Sequence, residues 1–510
     1  MMSDSSPPSP QRIAIIGGGL SGLAAAHRLI ELSRSSPSPP AVTLFEAGPR
    51  LGGIVGTQRI GDYLVDTGAD SFLTNKPGAI GLCRRLGIED KLVATDVRYR
   101  GAHVLFDGRP VPVPEGFQLI SPTAIWPILT TPILSPWGKL RMLMEYFFPP
   151  REAAAAPSSF PQPSTLNPQP SRDESLADFV RRRFGREALE RLVQPLVGGI
   201  YTSDPEHLSL AATLPRFLEM EREYGSLIRA ALFPRKQNAD RATSTGDEPS
   251  DTKSSGARYG LFAGLAGGME DLLTALRSRV EAGCTVSLGT RVTSIQCAAA
   301  RPTEYQLLLS DGSSRAFDSV IVATTTHQAA AMLGELDACL SRELCGIEYA
   351  SSAVVVTGHK LADVRHPLDS FGLVVPHRER RRILATSFSS RKFPERAPAG
   401  SVLMRTFVGG AMQPELFDLT DDELLRLVQA ELSDIFGVRG DPEIALVIRY
   451  PRAMPQYHVG HLDRVARIEA LAARHQGLAL AGNAYRGVGI PDAITSGETA
   501  AETIYLIDRH

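Results

Sequence analysis

Cysteine is scarce and scattered. The five in 510 residues, Cys83, Cys284, Cys297, Cys339 and Cys345, form no C-x-x-C pair and have no histidine nearby at metal-ligand spacing. A disulfide framework and a thiolate metal centre are thereby excluded, no metal is expected, and the pattern is that of small buried hydrophobes in a reducing compartment. An excess of charge of one sign is also lacking. Lys and Arg total 54 against 56 Asp and Glu, a net charge of −2, so no global field draws the chain to nucleic acid or to anionic lipid. The first ten residues hold neither a basic stretch nor an apolar core, which argues against a secretory signal and leaves the cytoplasm as the default location. One uncharged run, Gly116 to Gly138, has the length of a membrane span, but Pro122, Pro127, Pro132 and Pro136 interrupt it. Each proline inside a helix costs about 3 kcal/mol and removes a donor that lipid cannot replace. A spanning helix is excluded on that ground. The segment reads instead as an apolar wall of a substrate domain, with Trp126, Trp137, Tyr146, Phe147 and Phe148 leaving a surface that dips into lipid as the alternative.

What is present begins with Ile13-Ala14-Ile15-Ile16, a buried strand, followed by Gly17-Gly18-Gly19-Leu20-Ser21-Gly22 and a helix predicted over Leu23 to Leu32. In the spacing Gly17-x-Gly19-x-x-Gly22 the first glycine turns the chain, the second lets backbone approach a pyrophosphate and the third lets helix and strand pack closely. Phosphate would sit at the positive end of the helix. A second strand, Ala41 to Phe45, ends in Glu46, where a ribose-binding carboxylate should fall. Glu46-Ala47-Gly48-Pro49-Arg50-Leu51-Gly52-Gly53 then adds a second glycine pair that can close on the pyrophosphate from the far side. Near the C-terminus strand Leu478 to Ala481, loop Gly482-Asn483-Ala484-Tyr485-Arg486-Gly487-Val488-Gly489 and a helix from Ile490 to Ile507, with Pro491 in its first turn, repeat the arrangement.

Between these ends the chain alternates in character. Strands are predicted at Ile54 to Arg59 and Tyr63 to Val65, then a small-residue turn, Asp66 to Phe72. Helices follow at Ser175 to Phe184, Arg186 to Val197, His207 to Glu223 and Asp271 to Ala282. Short strands at Thr285 to Leu288, Val292 to Gln296, Tyr305 to Leu309 and Val320 to Ala323 return to the first pattern. Those at Ser352 to Gly358, Gly372 to Val375, Ile383 to Phe388, Val402 to Val408 and Ile444 to Tyr450 build a second sheet. The expected fold is α/β plus α+β. A discontinuous Rossmann-like nucleotide domain takes residues 11–75, 264–330 and 476–510, and a mixed-sheet substrate domain takes 76–115 and 331–475. A helical, membrane-facing or wall-forming subdomain takes 116–263 with flexible insertions at 153–172 and 235–257, and residues 1–10 are disordered.

The blocks Gly17 to Gly22, Glu46 to Gly53, Ser175 to Gly185, Pro195 to Pro205 with Leu208-Ser209, Phe407 to Gly410, Tyr450 to His461 and Gly482 to Ile490 together resemble the oxygen-dependent porphyrinogen oxidases. These are protoporphyrinogen and coproporphyrinogen oxidases, flavoproteins of the amine-oxidase-like superfamily. The resemblance implies one FAD, held by Gly17, Gly19, Leu20, Ser21, Gly22, Glu46, Ala47, Arg50, Gly52, Gly53 and Ile54. It also implies flavin contacts from Gly68, Ala69, Asp70 and Ser71, backbone contact with the adenine from Val292, and further contacts from Gly482, Asn483, Val488, Gly489 and Ile490. It implies a basic residue for a substrate propionate. Gly108-Arg109-Pro110-Val111-Pro112 matches the family's turn without bringing an arginine into register, and Arg100 is taken for that role, with Arg449, Arg452 and Arg486 as other cations to place. The implied partners are a porphyrinogen and oxygen in haem biosynthesis, with no nucleic acid and at most peripheral membrane contact. A homodimer and a passing contact with the next haem-pathway enzyme stay open. No catalytic base is assigned; His327, His359, His458 and His461 are read as structural or solvent-facing before proton-relaying. An amine oxidase or carotenoid desaturase on the same frame, and a non-catalytic prenyl-protein binder, are the alternatives.

Overall fold

The structure, a computed structural model, describes residues 10–34, 36–122, 124–150, 173–233, 262–298 and 301–507. Residues 1–9 and the insertions expected at 153–172 and 235–257 lie outside the described residues.

Strand Arg12–Ile16 is the middle of a five-stranded parallel sheet in the spatial order Thr285–Ser287, Ala41–Phe45, Arg12–Ile16, Ser319–Val322, Leu478–Leu480. Its isoleucines are buried because both faces are covered, as parallel sheets require. Ile13 and Ile15 join the core under helices Leu20–Ser33, Glu270–Gly283 and Ile490–Ile507. Ala14 and Ile16 point the other way, into a core shared with the antiparallel strands Val292–Ala298, Arg301–Leu309 and Ser314–Phe317 and with helix Thr326–Leu333.

A seven-stranded sheet stands beside it, ordered Ile444–Pro455, Tyr349–Lys360, Ser401–Gly409, Ala385–Phe388, Gly372–Val374, His103–Phe106, Arg109–Pro112. All neighbours are antiparallel except Gly372–Val374 with His103–Phe106. Helix Asp421–Phe436 covers one face through Leu424, Val428 and Leu432, and its start is closed by a capping box between Thr420 and Glu423. Short helices, among them Ile125–Thr130, Pro136–Leu143, Leu176–Arg183, Gln194–Tyr201 and Pro215–Tyr224, enclose a separate core around Phe117, Phe179, Leu192 and Phe217.

Several elements depart from the sequence reading for local reasons. The first helix starts at Leu20, inside the glycine loop, because Gly19 serves as its N-cap. The helix expected over His207 to Glu223 is two, Leu210–Thr213 and Pro215–Tyr224, since Pro215 cannot continue the first. The one expected over Arg186 to Val197 re-registers through a π turn, Leu189–Val193, just ahead of Pro195. Ile54 and Val55 are loop, and the strand begins at Thr57. Of the five cysteines only Cys83 is buried; Cys297, Cys339 and Cys345 are exposed, and all five are free. Trp126 and Trp137 are 74% and 79% exposed, so the run they belong to turns both its tryptophans outward while burying Phe117. Among the described residues no helix is long and apolar enough to cross a membrane.

Helices Leu20–Ser33 and Ile490–Ile507 pack backbone to backbone, and a Cβ added at Gly497 would stand 2.1 Å from the Ser21 carbonyl oxygen. Gly497→Ala should therefore pry the helices apart at a cost of about 1–3 kcal/mol. Calorimetry should record a lowered Tm, with the loss concentrated in the transition that releases bound nucleotide.

Candidate functional site: a nucleotide cradle and an apolar cavity

Gly17 follows the central strand with φ +104°, and a Cβ there would meet the Ala323 carbonyl oxygen at 2.5 Å. Gly22 is closer still: its Cβ would lie 1.9 Å from the Gly17 oxygen. Side chains are thus excluded at both positions by the protein itself. Gly19 differs, because its φ is an ordinary −71° and an added Cβ would meet nothing within 4 Å. The space before this glycine, at the N-terminus of a fourteen-residue helix, fits a phosphate. Gly52 donates its N–H to the Gly18 oxygen at 2.8 Å, and Gly53, at φ +60°, lies against Gly19. Arg50 stands beside the same loop and is exposed. It clasps the loop, donating to the Gly53 carbonyl at 2.8 Å and the Val55 carbonyl at 3.2 Å.

Glu46 accepts the N–H groups of Gly18 (2.7 Å) and Gly48 (2.6 Å), which fixes its carboxylate beside the glycine loop with acceptor sites to spare for ribose hydroxyls. Ala47 beside it is exposed, and Leu20 and Ser21 are buried in the first helical turn. Backbone bonds from Glu46 and Gly48 run to Ser287, Gly289 and Thr290, and Val292 follows two residues later, buried. The acid and the predicted adenine contact are therefore neighbours in space.

The second glycine loop flanks the same strand end, Ala323–Thr325, from the other side. Gly482 donates to Ser496 Oγ at 3.0 Å, and the Tyr457 hydroxyl braces the loop by donating to the Asn483 carbonyl (2.6 Å) while accepting the Gly487 N–H (2.8 Å). The His461 ring stacks on Tyr457 with centroids 3.9 Å apart, and its Nε2 is 3.0 Å from the Tyr485 oxygen. Burial pushes His461 down to about 4, so the ring is neutral near pH 7. Tyr457 and His461 thus act through the glycine loop they hold, while Tyr450, Ala453 and Met454 of the same block line the neighbouring cavity.

Between the two sheets lies a cavity of about 370 Å³. Ile54, Gly68 to Ser71, Asn483, Val488 and Gly489 line it from the nucleotide side, and Val354, Phe371, Ala385 and Phe407 from the seven-stranded sheet. Gly68 is pressed against the Ile54 carbonyl, and the hydroxyl of Tyr450 donates to the Thr67 carbonyl. The helical part contributes Gly199, Ile200 and Thr202, whereas no described residue of 116–138 lines the cavity; Phe117, Ile120 and Ile128 belong instead to the core that packs behind its lining residues Val374 and Ala385.

Arg100 is exposed and outside the lining, one residue from Gly101, whose carbonyl accepts the N–H of Phe371. Arg449 is tied to Asp421 and to the Phe417 and Leu419 carbonyls, and Arg486 to Glu469. The cations that do line the cavity are Lys392 and Arg405, neither of which the sequence reading singled out. A signal existed: Arg405 interrupts the apolar strand Val402-Leu403-Met404, and a charge in a strand interior calls for a partner. That partner is Asp70, 2.8 Å from Lys392 Nζ and 3.3 Å from Arg405 Nη1. Burial alone would raise the Asp70 carboxyl, but the two cations outweigh it and hold the group well below the usual carboxylate range. None of His327, His359, His458 and His461 lines the cavity.

Two glycine loops around one strand end, an acid at the ribose position and an apolar cavity beside them define a nucleotide-dependent oxidoreductase frame. Residues 20–505 match the model of the flavin containing amine oxidoreductase family, and the chain belongs to that family; its cofactor is FAD. Within it, the chain is 33% identical over 493 residues to coproporphyrinogen III oxidase of Bacillus subtilis (strain 168), a match that covers 96% of this chain and 97% of that protein. It is 27% identical over 511 residues to protoporphyrinogen oxidase 2, chloroplastic/mitochondrial, of Arabidopsis thaliana, covering 97% and 94%. A solved structure from Exiguobacterium sp. 255-15 that carries the name protoporphyrinogen oxidase superposes with a TM-score of 0.79 at 28% identity, covering 98% of this chain and 99% of that one.

Because the Gly19 site is open to the ligand and closed to nothing else, Gly19→Val should fold and purify without colour, its FAD affinity reduced by more than about tenfold. Absorbance at 450 nm per protein, with circular dichroism as the folding control, reads the result. Because His461 titrates near 6.5 unfolded and about 4 folded, its contribution to stability is complete above pH 6.5 and is lost as pH falls from there toward 4. Tm measured across that window should decline, and in His461→Gln the decline should be shallower.

Proposed function

We propose that the chain oxidises a porphyrinogen to the porphyrin, in haem biosynthesis, with oxygen as the final acceptor. The observation that carries this reading is the apolar cavity in which the flavin-side residues Ile54, Gly68 and Val488 face the sheet-side residues Val354, Phe371 and Phe407. A flat, largely apolar macrocycle with charged edges suits such a space. The names of the near-full-length relatives support the same substrate class.

The Gly17–Gly22 loop, Glu46, Gly52–Gly53 and the Gly482–Gly489 loop would hold FAD, which would supply the hydride acceptor for the saturated bridging carbons and the route of the electrons to oxygen as peroxide. The protein's own task is orientation and exclusion of water. Phe371 and Phe407 offer faces for ring packing, and Gly68 allows close approach of backbone. No histidine serves the cavity, so the pyrrole N–H protons are lost by tautomerisation without a dedicated ring base among the described residues. Arg100, exposed and next to the Phe371 wall, would meet a propionate at the outer edge. The same reading places the enzyme in the cytoplasm with at most peripheral membrane contact, through outward side chains such as Trp126, Trp137 and Phe147.

Mixed with a porphyrinogen without oxygen, the yellow protein should bleach. Air should restore the colour, with peroxide and a fluorescent porphyrin as products. A flavin that stays oxidised with porphyrinogens and bleaches with amines would transfer the assignment to amine oxidation.

A further inference from the structure

The glycine loop on the flavin side of the cavity is held from behind by a carboxylate that does not itself line the cavity. Gly489 precedes helix Ile490–Ile507 and stands at its N-cap position, its carbonyl accepting the N–H of Ala493 at 2.9 Å. Asp492, three residues on, reaches back to accept the Gly489 N–H at 3.3 Å, which is the acidic half of a capping box. The same carboxyl fills the space beside Gly487, where an added Cβ would collide with it. Both of its oxygens are bonded in turn to Lys76 Nζ, at 2.7 and 2.8 Å. Lys76 arrives from the other half of the nucleotide domain as the N-cap residue of helix Pro77–Leu86. The starts of the two helices touch, since a Cβ at Gly78 would stand 2.6 Å from the Pro491 carbonyl oxygen.

The sign of the charge at this place matters. Unpaired N–H groups at the start of helix Ile490–Ile507 make that end of the loop partly positive. A bare carboxylate in the first turn would cancel this toward whatever lies across Val488 and Gly489, and those two residues line the cavity from the nucleotide side. We propose that Lys76 and Asp492 are positioning residues for the flavin. Asp492 fixes the loop, and Lys76 neutralises the charge that Asp492 brings, so that the helix start stays positive toward the cofactor and favours its reduced, more negative state. The inference depends on FAD and not on which substrate reduces it. Removing the Lys76 charge leaves an anion behind the loop, and removing the Asp492 charge leaves a cation, so the two losses act with opposite sign and cancel when combined. A pair that only ties two helices together makes the contrary demand, because both losses then loosen the same loop.

The test is the midpoint potential of FAD in the purified holoenzyme, read without oxygen against a reference dye while xanthine oxidase slowly reduces both. Wild type is compared with Lys76→Met, Lys76→Arg, Asp492→Asn and the double variant Lys76→Met/Asp492→Asn, with flavin content measured for each. In Lys76→Met the equilibrium should move about tenfold toward oxidised flavin, a fall of about 30 mV for a two-electron couple. Asp492→Asn, whose amide oxygen can still accept the Gly489 N–H, should move it by a similar factor the other way. The double variant should return close to the wild-type potential, and Lys76→Arg should keep it. Higher ionic strength should shrink both shifts, because the Lys76 side chain is 45% exposed. Potentials that coincide in all five proteins, or shifts of one sign in both single variants, would overturn the assignment. Loss of flavin from both single variants that the double variant does not restore would overturn it too, by showing that the pair is only a tie between helices.

Discussion

Backbone meeting backbone where side chains would otherwise stand is the constraint on which the nucleotide site depends. Gly22 lets the first helix settle onto the Gly17 carbonyl, Gly497 lets the last helix settle onto the first, and Gly68 lets the Asp66–Asp70 turn settle onto the Ile54 carbonyl. Gly78 does the same against the Pro491 carbonyl, where a Cβ would stand 2.6 Å away. Each contact removes the width of a side chain between layers, and their sum brings two glycine loops from opposite ends of the chain to one strand end. Gly19 is the exception that gives the others their purpose, since its vacancy faces the ligand.

Where the two sheets meet, polar ties take over from close packing. Asp70 with Lys392 and Arg405, the Tyr450 hydroxyl on the Thr67 carbonyl, and the buried pair of Asp66 with Arg396 all join the turn at residues 66–70 to the seven-stranded sheet. Arg396 also donates to the Leu265 and Ala266 carbonyls, at 2.8 and 3.0 Å, so one guanidinium holds three segments. Such ties are directional, whereas apolar contact between walls is not. They set the depth and the tilt of the cavity, and hence how a flat substrate would be presented.

The fold class was legible because the parallel sheet imposes strong local patterns. A strand buried on both faces reads as the unbroken run Ile13 to Ile16, and the last helix has the bounds its Pro491 start implied. The resemblance also led to Ile54, Gly68 to Ser71, Asn483, Val488 and Gly489, which the structure brings to one cavity. What stayed hidden depends on which strand face points where. Lys392 and Arg405 are far in sequence from Asp70, and nothing local says that they meet. Arg50 is an arginine in a glycine loop that looks aimed at phosphate, yet its guanidinium also clasps the loop through the Gly53 and Val55 carbonyls. Tyr457 and His461 fall in a block with a family signature, but their bracing of the Asn483–Gly487 loop is a tertiary fact.

The order of strands in the parallel sheet bears on how the chain acquires its shape. Arg12–Ile16 needs Ala41–Phe45 on one side, which is available almost at once, and Ser319–Val322 on the other, which lies some three hundred residues further on. Closing so long a loop is entropically slow. During synthesis, then, a strand whose apolar residues are buried in the finished fold waits with one edge of N–H and C=O groups open. An open, apolar strand edge is a template for pairing with another nascent chain. The same topology that gathers the site from both ends of the sequence leaves the half-made polypeptide with an unpaired strand edge until the distant strand arrives.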